Sequence, residues 1–429
     1  MVDAGSVRVR FSNSVLQEAL RLAPKEILLA SRDGRHDVRV PGGRPYVTSD
    51  GAGVNVWDLD TGERRGSTQR DLADLTRVAD ALDVVDAVWP MAVAGDVPAE
   101  VHGLVEAVTV FENTSKHVQH ETTSRKDAEG NVEIAAAIAG GREELRRRPI
   151  LSSVQCPVSP LILEAGSSEG LIVLARAGVP VVPISMVLMG GSSPVDPSSA
   201  LVVSTAENLA SLCLAQAAAR EAPVIFSVCS GPIDMRTGSF ASAAPEAGLL
   251  SAAAVDMARH YGFPCLVAGF VSDADSPGTQ AGAEKLASGL VSMLAGADLV
   301  SGLGALESDS CMSLEQLVID ADLAEFAREM LDPFRVAAET VQLDLLSRLG
   351  PAGNYLKEKS TLTRFREAIW MPRLFSREGY APGRDLGEPR LRAAAKARAT
   401  RLRKEHVPAP LDKDVREAAW SVVERAGRA

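Results

Sequence analysis

The stretch ILSSVQCPVSPLILEAGSSEGLIVLARAGVPVVPISMVL, residues 150–188, decides the fold. Its ends, ILSSVQCPV (Ile150–Val158) and PVVPISMVL (Pro180–Leu188), are short and largely apolar, and SSEGLIVLARAG between them reads as a helix. A strand apolar on both faces is buried on both faces, which is the condition of a parallel sheet. Joining two such strands in parallel takes a helical crossover.

The same unit repeats outward in both directions. Upstream lie AVWPMAV (Ala87–Val93) and KHVQHET (Lys116–Thr122); downstream lie PVIFSVC (Pro223–Cys229), FPCLVAGFV (Phe263–Val271), DLVSGLGAL (Asp298–Leu306) and EQLVID (Glu315–Asp320). Helical stretches such as NVEIAAAIAGGREELRR and the Ala/Leu run Ser199–Arg220 separate them. Eight runs predict an α/β fold, a (β/α)8 TIM barrel, over residues 69–349. A doubly wound open sheet is the alternative, but no G-x-G-x-x-G follows the first run.

The flanks differ in character. Residues 1–68 read as a small N-terminal α/β extension: a helix at Ser14–Ala23, then HDVRV and VNVWDLDTG between Gly-rich turns. After Gly350 the chain turns polar, with an irregular stretch MPRLFSREGYAPGRDLGEP and the basic helix RLRAAAKARATRLRKEH, so 350–429 is expected to form a helical C-terminal extension. That basic helix is either a solvated face or a docking surface for an acidic partner.

Composition narrows the function. The 429 residues are 46% hydrophobic and 24% charged, enough to fill a core. A net charge of −11 repels a phosphate backbone, so no nucleic-acid partner is expected. The most apolar window, Leu171–Gly190, is broken by Arg176, Pro180 and Pro183, which argues against a membrane span. MVDAGSVRVRF lacks a signal-peptide pattern and the five cysteines are odd in number and widely spaced, so a cytoplasmic location with free thiols is expected.

In a (β/α)8 barrel the chemistry lies at the C-terminal ends of the strands. The groups placed there are Asp96, His120, Glu121, Ser159, Gly190, Gly191, Ser230, Asp234, Ser272, Asp273, Glu307, Asp309, Asp320 and Asp322. Carboxylates dominate, opposed only by Arg236, and an acidic mouth suits a cation. His117 and His120 with Cys156 and Cys229 could form a zinc set, but residues three apart on a strand face opposite ways. Gly190-Gly191-Ser192-Ser193 lacks the lysine of a phosphate loop and reads as a plain turn. Trp89 and Tyr355 are either core or the walls of a cation site.

Specific strings then add to the pattern. RPILSSVQCPVSPL, GGSSPV, TAENLASLCLAQ, DMRTGSFASAAPE, SDADSPGTQAGAEKLASGLVSMLAGADLV, SLEQLVIDAD and GPAGNYL, in this order, resemble the trimethylamine methyltransferase (MttB-like) family, which includes glycine betaine methyltransferases. The resemblance implies a barrel that moves a methyl group from an amine to the Co(I) of a corrinoid (cobalamin) held by a partner protein, with no cofactor bound tightly by this chain. It implies catalytic roles for Asp234, Asp273 and Gln280 and substrate contacts from Arg236 and Glu246; Trp89, Asp96 and His120, from their place at the mouth, and Asn354 and Tyr355, in the C-terminal loop, are expected to add further substrate contacts. Asn354 stands where the family usually has His, Asp275 where it has Lys, and Gly278 where it has Asp. No pyrrolysine is present. A quaternary amine leaves as a neutral tertiary amine without that residue's help, so a betaine-like substrate is expected. Two other functions stay open at this stage: a metal-assisted lyase or hydrolase, and a family member that binds a small cation without turnover. A homo-oligomer is compatible with the sequence.

Overall fold

The computed structural model describes residues 2–3, 8–380, 382 and 387–428. Eight parallel strands close into a barrel: β1 Tyr46–Ser49, β2 Ala87–Val88, β3 His117–Glu121, β4 Leu151–Gln155, β5 Val181–Ser185, β6 Phe226–Val228, β7 Cys265–Ala268 and β8 Leu299–Leu303. The closing pair is β8 with β1, in the register Leu299 to Tyr46 and Val300 to Val47. That register shifts before Leu303, at Gly302. Gly302 has φ +126°, and a Cβ there would lie 1.9 Å from the Gly269 carbonyl oxygen, so only glycine lets β8 pass this close to the loop after β7.

Each strand is followed by its helix: α1 Gln69–Asp80, α2 His102–Asn113, α3 Arg125–Ala139, α4 Ala165–Ala177, α5 Pro197–Ala218, α6 Pro245–Tyr261, α7 Thr279–Ala295 and α8 Leu314–Leu331. Local signals set their ends. Thr68 and Asp71 form a capping box at the start of α1, and Ser313 caps the first turn of α8. Glycines in the left-handed region at 178, 262 and 296 stop α4, α6 and α7. α5 is long and apolar enough to cross a bilayer by length and composition, yet half of that window is buried inside the fold, between α4 and α6.

Two expectations need correction. EQLVID is not the eighth strand: Glu315–Asp320 is the first part of α8, and its apolar residues bury because the helix lies against the barrel. The missing strand is Tyr46–Ser49, inside the segment expected to be an extension. Four residues, only half of them apolar, between Gly42-Gly43 and Gly51 give too little periodicity to mark a strand. The total of eight therefore came from one false strand and one missed strand. The barrel begins at residue 46, and its last helix ends at Leu331.

The N-terminal segment does have a structural role. The helix Asn13–Leu22 packs on α5, and the hairpin of Ile27–Leu29 with Val38–Val40 closes the barrel floor. Its Ile27, Leu29, Val38 and Val40 share one cluster with the lumen residues Val154, Ile184, Ile225, Leu266 and Leu299. His117 joins floor to wall, its Nδ1 donating to the Ala30 carbonyl and its Nε2 accepting from Ser152 Oγ at 2.9 Å. Burial lowers its pKa to about 4, so it is a neutral core imidazole. At the other end, Asn55–Trp57, Arg64–Gly66, Ala305–Leu306 and Cys311–Ser313 form a four-stranded sheet between the β1 and β8 loops.

Beyond α8 come three short helices, α9 Ala338–Val341, α10 Leu343–Leu349 and α11 Lys359–Ala368, followed by α12 Glu388–Glu405 and α13 Lys413–Gly427. The irregular stretch 371–387 separates α11 from α12; 381 and 383–386 within it lie outside the described residues. α12, the basic helix, packs on α8 and α1. Three of its arginines are taken by barrel carboxylates: Arg392 by Glu315, Arg398 by Asp322 and Arg403 by Asp60. The helix is fastened to the barrel rather than freely solvated. A cavity of about 530 Å³ lies beside it, lined by Trp57, Glu315, Glu388 and Arg392.

Candidate functional site: the acidic barrel mouth

Alternation along each strand decides which groups enter the lumen. From β1 it brings Asp50, from β2 Trp89, from β3 Glu121, from β4 Cys156 and from β6 Cys229. Trp89 belongs to the lumen cluster, with Cys156 and Cys229 packed against it. Its ring lies flat on Gly51, where a Cβ would come within 2.7 Å of the indole. Ser49 Oγ accepts from the Trp89 N–H at 2.8 Å and fixes the strand end that carries the ring.

The most unusual group comes from the β8 loop. Glu307, Ser308 and Asp309 are all left-handed, with φ of 51°, 49° and 74°. Three successive residues in this region store strain, and the turn uses it to aim Asp309 at Asp50. Asp309 Oδ1 is buried and meets no donor among the described residues. Burial first, then the charge of Asp50, pushes the Asp309 carboxyl well above the usual carboxylate range. Asp50 is also raised by burial, although the Gly51 N–H donates to it at 2.9 Å. Both carboxyls thus favour the protonated form more than a solvated carboxyl does. Glu121, at the third side, is raised by burial as well. Among the described residues no Lys or Arg forms an ion pair with Asp50, Asp309 or Glu121. The charge of Lys285 reaches Asp50 and Asp309, but its ammonium pairs with Asp320, so among the described residues the mouth has acids without an ion-paired cation of their own.

The thiols are poor nucleophiles. Burial raises Cys156 and Cys229 strongly, and neighbouring carboxylates raise them further: Glu121 for Cys156, Asp309 and Asp50 for Cys229.

The residues anticipated from sequence divide into three groups. Trp89 lies in the lumen. Asp273, Asp234, Arg236, Gln280, Glu246 and Asp96 sit on loops or helix starts at the same end, but their polar atoms are committed elsewhere or exposed. Asp273 accepts from Ser242 Oγ at 2.9 Å and Ser308 Oγ at 2.6 Å, stapling the loops after β6, β7 and β8 together. Gln280 donates to Glu284, which in turn holds Ser272 and the Asp273 N–H. Asp234 and Arg236 pair with each other on an exposed turn, which lowers Asp234 to about 2. Asp96 accepts from the first N–H of α1, and Glu246 is exposed in the first turn of α6. His120 turns outward, its Nε2 donating to the Gly103 carbonyl in α2 at 2.8 Å; as expected from the strand period, it faces away from His117. Among the described residues Asn354 and Tyr355 bond to near neighbours, Asn354 Oδ1 accepting from the Leu356 N–H and the Tyr355 carbonyl from Thr361 Oγ in α11. Asp320 and Asp322 lie within α8 rather than at the mouth. Ser159 is held with the Leu161 N–H and Ser185 Oγ by the buried Glu207 of α5.

Sequence reasoning missed Asp50 because it missed β1, and it placed Asp309 and Glu121 at the mouth without assigning them a role. The signal for Asp50 was a lone Asp-Gly at the end of a short β-branched run, TSDG.

Fold and site define a (β/α)8-barrel protein with an acidic lumen. The description of the family "Trimethylamine methyltransferase (MTTB)" matches residues 2–428. The chain is 34% identical over 422 residues to a trimethylamine methyltransferase of Methanosarcina thermophila, covering 96% of this chain and 86% of the relative. It is 28% identical over 425 residues to a glycine betaine methyltransferase of Desulfitobacterium hafniense, covering 98% and 88%. The crystal structure of the Methanosarcina barkeri monomethylamine methyltransferase superposes with a TM-score of 0.57 at 14% identity, over all of this chain and 83% of that one, a likeness of fold. The chain belongs to the trimethylamine methyltransferase family and is a methyltransferase.

Proposed function

We propose that the chain transfers a methyl group from a quaternary, betaine-like amine to the Co(I) of a corrinoid carried by a separate protein, in the cytoplasm. The observation that carries this reading is the Asp50–Asp309 pair in the lumen with Glu121 and Trp89, with no ion-paired cation among the described residues, the nearby Lys285 being taken by Asp320. A buried anion without a partner is costly, and a permanent cation in the lumen relieves that cost. A ring wall adds cation–π attraction for a charge that cannot donate hydrogen bonds. The orphan Oδ1 of Asp309 fits such a ligand, because a quaternary ammonium offers charge and no N–H.

A quaternary methyl group is inert to oxygen and nitrogen side chains, and both lumen thiols are held protonated. The corrinoid supplies the nucleophile. This chain binds the cation, orients one methyl group toward the open mouth and keeps water from competing. No residue needs to move a proton, since the leaving group departs neutral. Asp273 acts through Ser308, holding the strained turn that carries Asp309.

The test is demethylation of glycine betaine and related quaternary amines by the purified chain. Turnover is expected only when a reduced corrinoid carrier, or free Co(I) cobalamin at high concentration, is added. Turnover without any corrinoid, or calorimetry showing tighter binding of a phosphate ester than of every betaine tried, overturns the reading.

A further inference from the structure

The orphan oxygen of Asp309 has company in the lumen. Among the described residues, buried side-chain polar atoms without a partner fall on the outer helices α1, α3, α5 and α8, with three exceptions: Asp309 Oδ1, Gln119 Nε2 of β3 and Ser227 Oγ of β6. Register shows where the two strand residues point. Ser227 is aligned with Ile184 of β5 and Leu266 of β7, both lumen side chains, so it points inward with them. Glu121 is aligned with the lumen residue Val154, and Gln119, two residues earlier on the same strand, shares its face at greater depth. From outside the barrel, Asn208 of α5 takes both main-chain groups of Ser227: its Oδ1 accepts from the N–H at 2.9 Å and its Nδ2 donates to the carbonyl at 2.8 Å.

These atoms are stacked in depth. An eight-stranded barrel fills its lumen with layers of four side chains from alternate strands. Followed around the barrel, the register puts Asp50 and Glu121 in one layer, Trp89 and Ser227 in the layer beneath, and Gln119 in the next. Solvent reaches down to Glu121 and to Ala268 of β7, which are partly exposed, whereas Gln119 and Ser227 are buried. An amide N–H and a hydroxyl taken out of water without partners are costly, and protein interiors seldom keep them so.

The two levels therefore suit different ends of one ligand. The carboxyls and the Trp89 ring suit a cation without N–H groups. The N–H of Gln119 and the hydroxyl of Ser227 suit an oxygen acceptor. Strands rise about 3.3 Å per residue and tilt in a barrel, so these donors lie roughly 3–6 Å below the acids. A carboxylate or hydroxyl oxygen three bonds from a quaternary nitrogen spans such a gap. With that oxygen pointing down, the methyl groups turn toward the mouth.

We propose that Gln119 and Ser227 are specificity-determining residues that bind an oxygen of the substrate, so that the lumen selects quaternary amines bearing a carboxylate or hydroxyl over those bearing hydrocarbon alone. The assignment rests on the methyl-transfer reading for the reaction, but recognition needs no corrinoid and is measured apart from turnover.

Calorimetry on the full chain with glycine betaine, choline and tetramethylammonium tests this. The unmodified chain should bind at least one of the two oxygen-bearing amines about tenfold or more tightly than tetramethylammonium, and the tighter of the two identifies the oxygen. Gln119→Leu should weaken that amine roughly 10-fold, or up to 100-fold for a carboxylate, and leave tetramethylammonium within about twofold. Ser227→Ala should repeat the pattern more weakly. The melting temperature of Gln119→Leu should stay equal or rise, because the substitution removes a donor that has no partner. Gln119→Glu should abolish glycine betaine binding by repulsion, while choline, whose hydroxyl can donate to the new carboxylate, still binds. Tetramethylammonium binding as tightly as both oxygen-bearing amines, a loss in Gln119→Leu shared by all three ligands, or glycine betaine binding unimpaired by Gln119→Glu would each overturn the inference and leave the methyl-transfer reading in place. Failure of every quaternary amine to bind would overturn both.

Discussion

Two acidic sites lie eleven residues apart in the β8–α8 region, at Asp309 and Asp320, and they have opposite fates. Asp320 is fully buried and fully used: Lys285 Nζ pairs with it at 3.0 Å, the Gly304 N–H donates at 2.7 Å and Gln316 Nε2 at 2.6 Å. Lys285 in turn donates to the Phe270 and Gly302 carbonyls. Both oxygens of Asp320 and the Lys285 ammonium have partners, and only the Gln316 Oε1 at the edge of the set lacks one, so the set joins α7 and α8 to the barrel strands with its charges satisfied from within. Asp309, by contrast, faces another carboxyl, sits on three left-handed residues and leaves one oxygen without a donor. Saturation marks structure, and a strained, unsaturated acid marks a place for something else.

Breaking the saturated site should give the largest effect. Lys285→Met strands a buried carboxylate beside apolar atoms, which costs about 3–5 kcal/mol. Denaturant unfolding should show that loss, and a shift under about 1 kcal/mol would mean that the pair is dispensable.

Breaking the unsaturated site should spare stability and remove activity. Asp309→Asn deletes a like-charge contact, so its unfolding midpoint should stay equal or rise. Its kcat/KM with a quaternary amine and a reduced corrinoid carrier should fall roughly 10- to 100-fold, the worth of one desolvated charge contact. Asp50→Asn should behave alike, and the double variant should fall short of additive because the two carboxyls act as a unit. Equal loss of stability and activity would remove the distinction between the two sites.

The pH dependence sharpens the same contrast. The folded-state pKa of Asp309 is raised, so the folded chain binds a proton that the unfolded chain releases near pH 4. Stability contributed by this group is full below that value and is lost as pH rises through the folded pKa. Cation affinity should move the other way, rising over the same window as Asp309 loses its proton. Asp309→Asn should flatten both slopes, seen in thermal melts and in calorimetry of a betaine from pH 5 to 9. Parallel slopes, or slopes unchanged in the variant, would show that this pair does not hold the cation.

How much of this was legible in the sequence depended on how local the signal was. The repeating strand–helix units were readable because burial on both faces leaves apolar runs such as Val181–Ser185. β1 was not, because Tyr46–Ser49 gains its place from neighbours on both sides of the closed barrel rather than from its own composition. Motif likeness led to the right end of the barrel, yet it could not separate Asp273, whose oxygens serve Ser242 and Ser308, from Asp309, whose Oδ1 serves nothing. That difference exists only in the partners, and partners come from loops far apart in the chain.

The smallest effect is expected at the most exposed of the anticipated residues. Asp234 and Arg236 form a bidentate pair within one turn of the β6 loop, with Arg236 Nη2 at 2.6 Å from Asp234 Oδ2 and the Arg236 side chain 88% exposed. An exposed pair two residues apart contributes little to stability, because solvent and salt screen it. Its cation is already spent on its own neighbour, so it has little field left to offer a substrate carboxylate. Asp234→Ala should therefore leave the melting temperature unchanged and alter kcat/KM by roughly threefold at most, against the far larger loss at Asp309. Arg236→Ala separates two roles: if the guanidinium leaves Asp234 to grip a betaine carboxylate, KM should rise for betaines and stay constant for choline, which has none. A KM rise shared by both substrates would instead assign Arg236 to the shape of the turn, and an Asp234→Ala loss as deep as that of Asp309→Asn would move the site outward from the lumen to the loop.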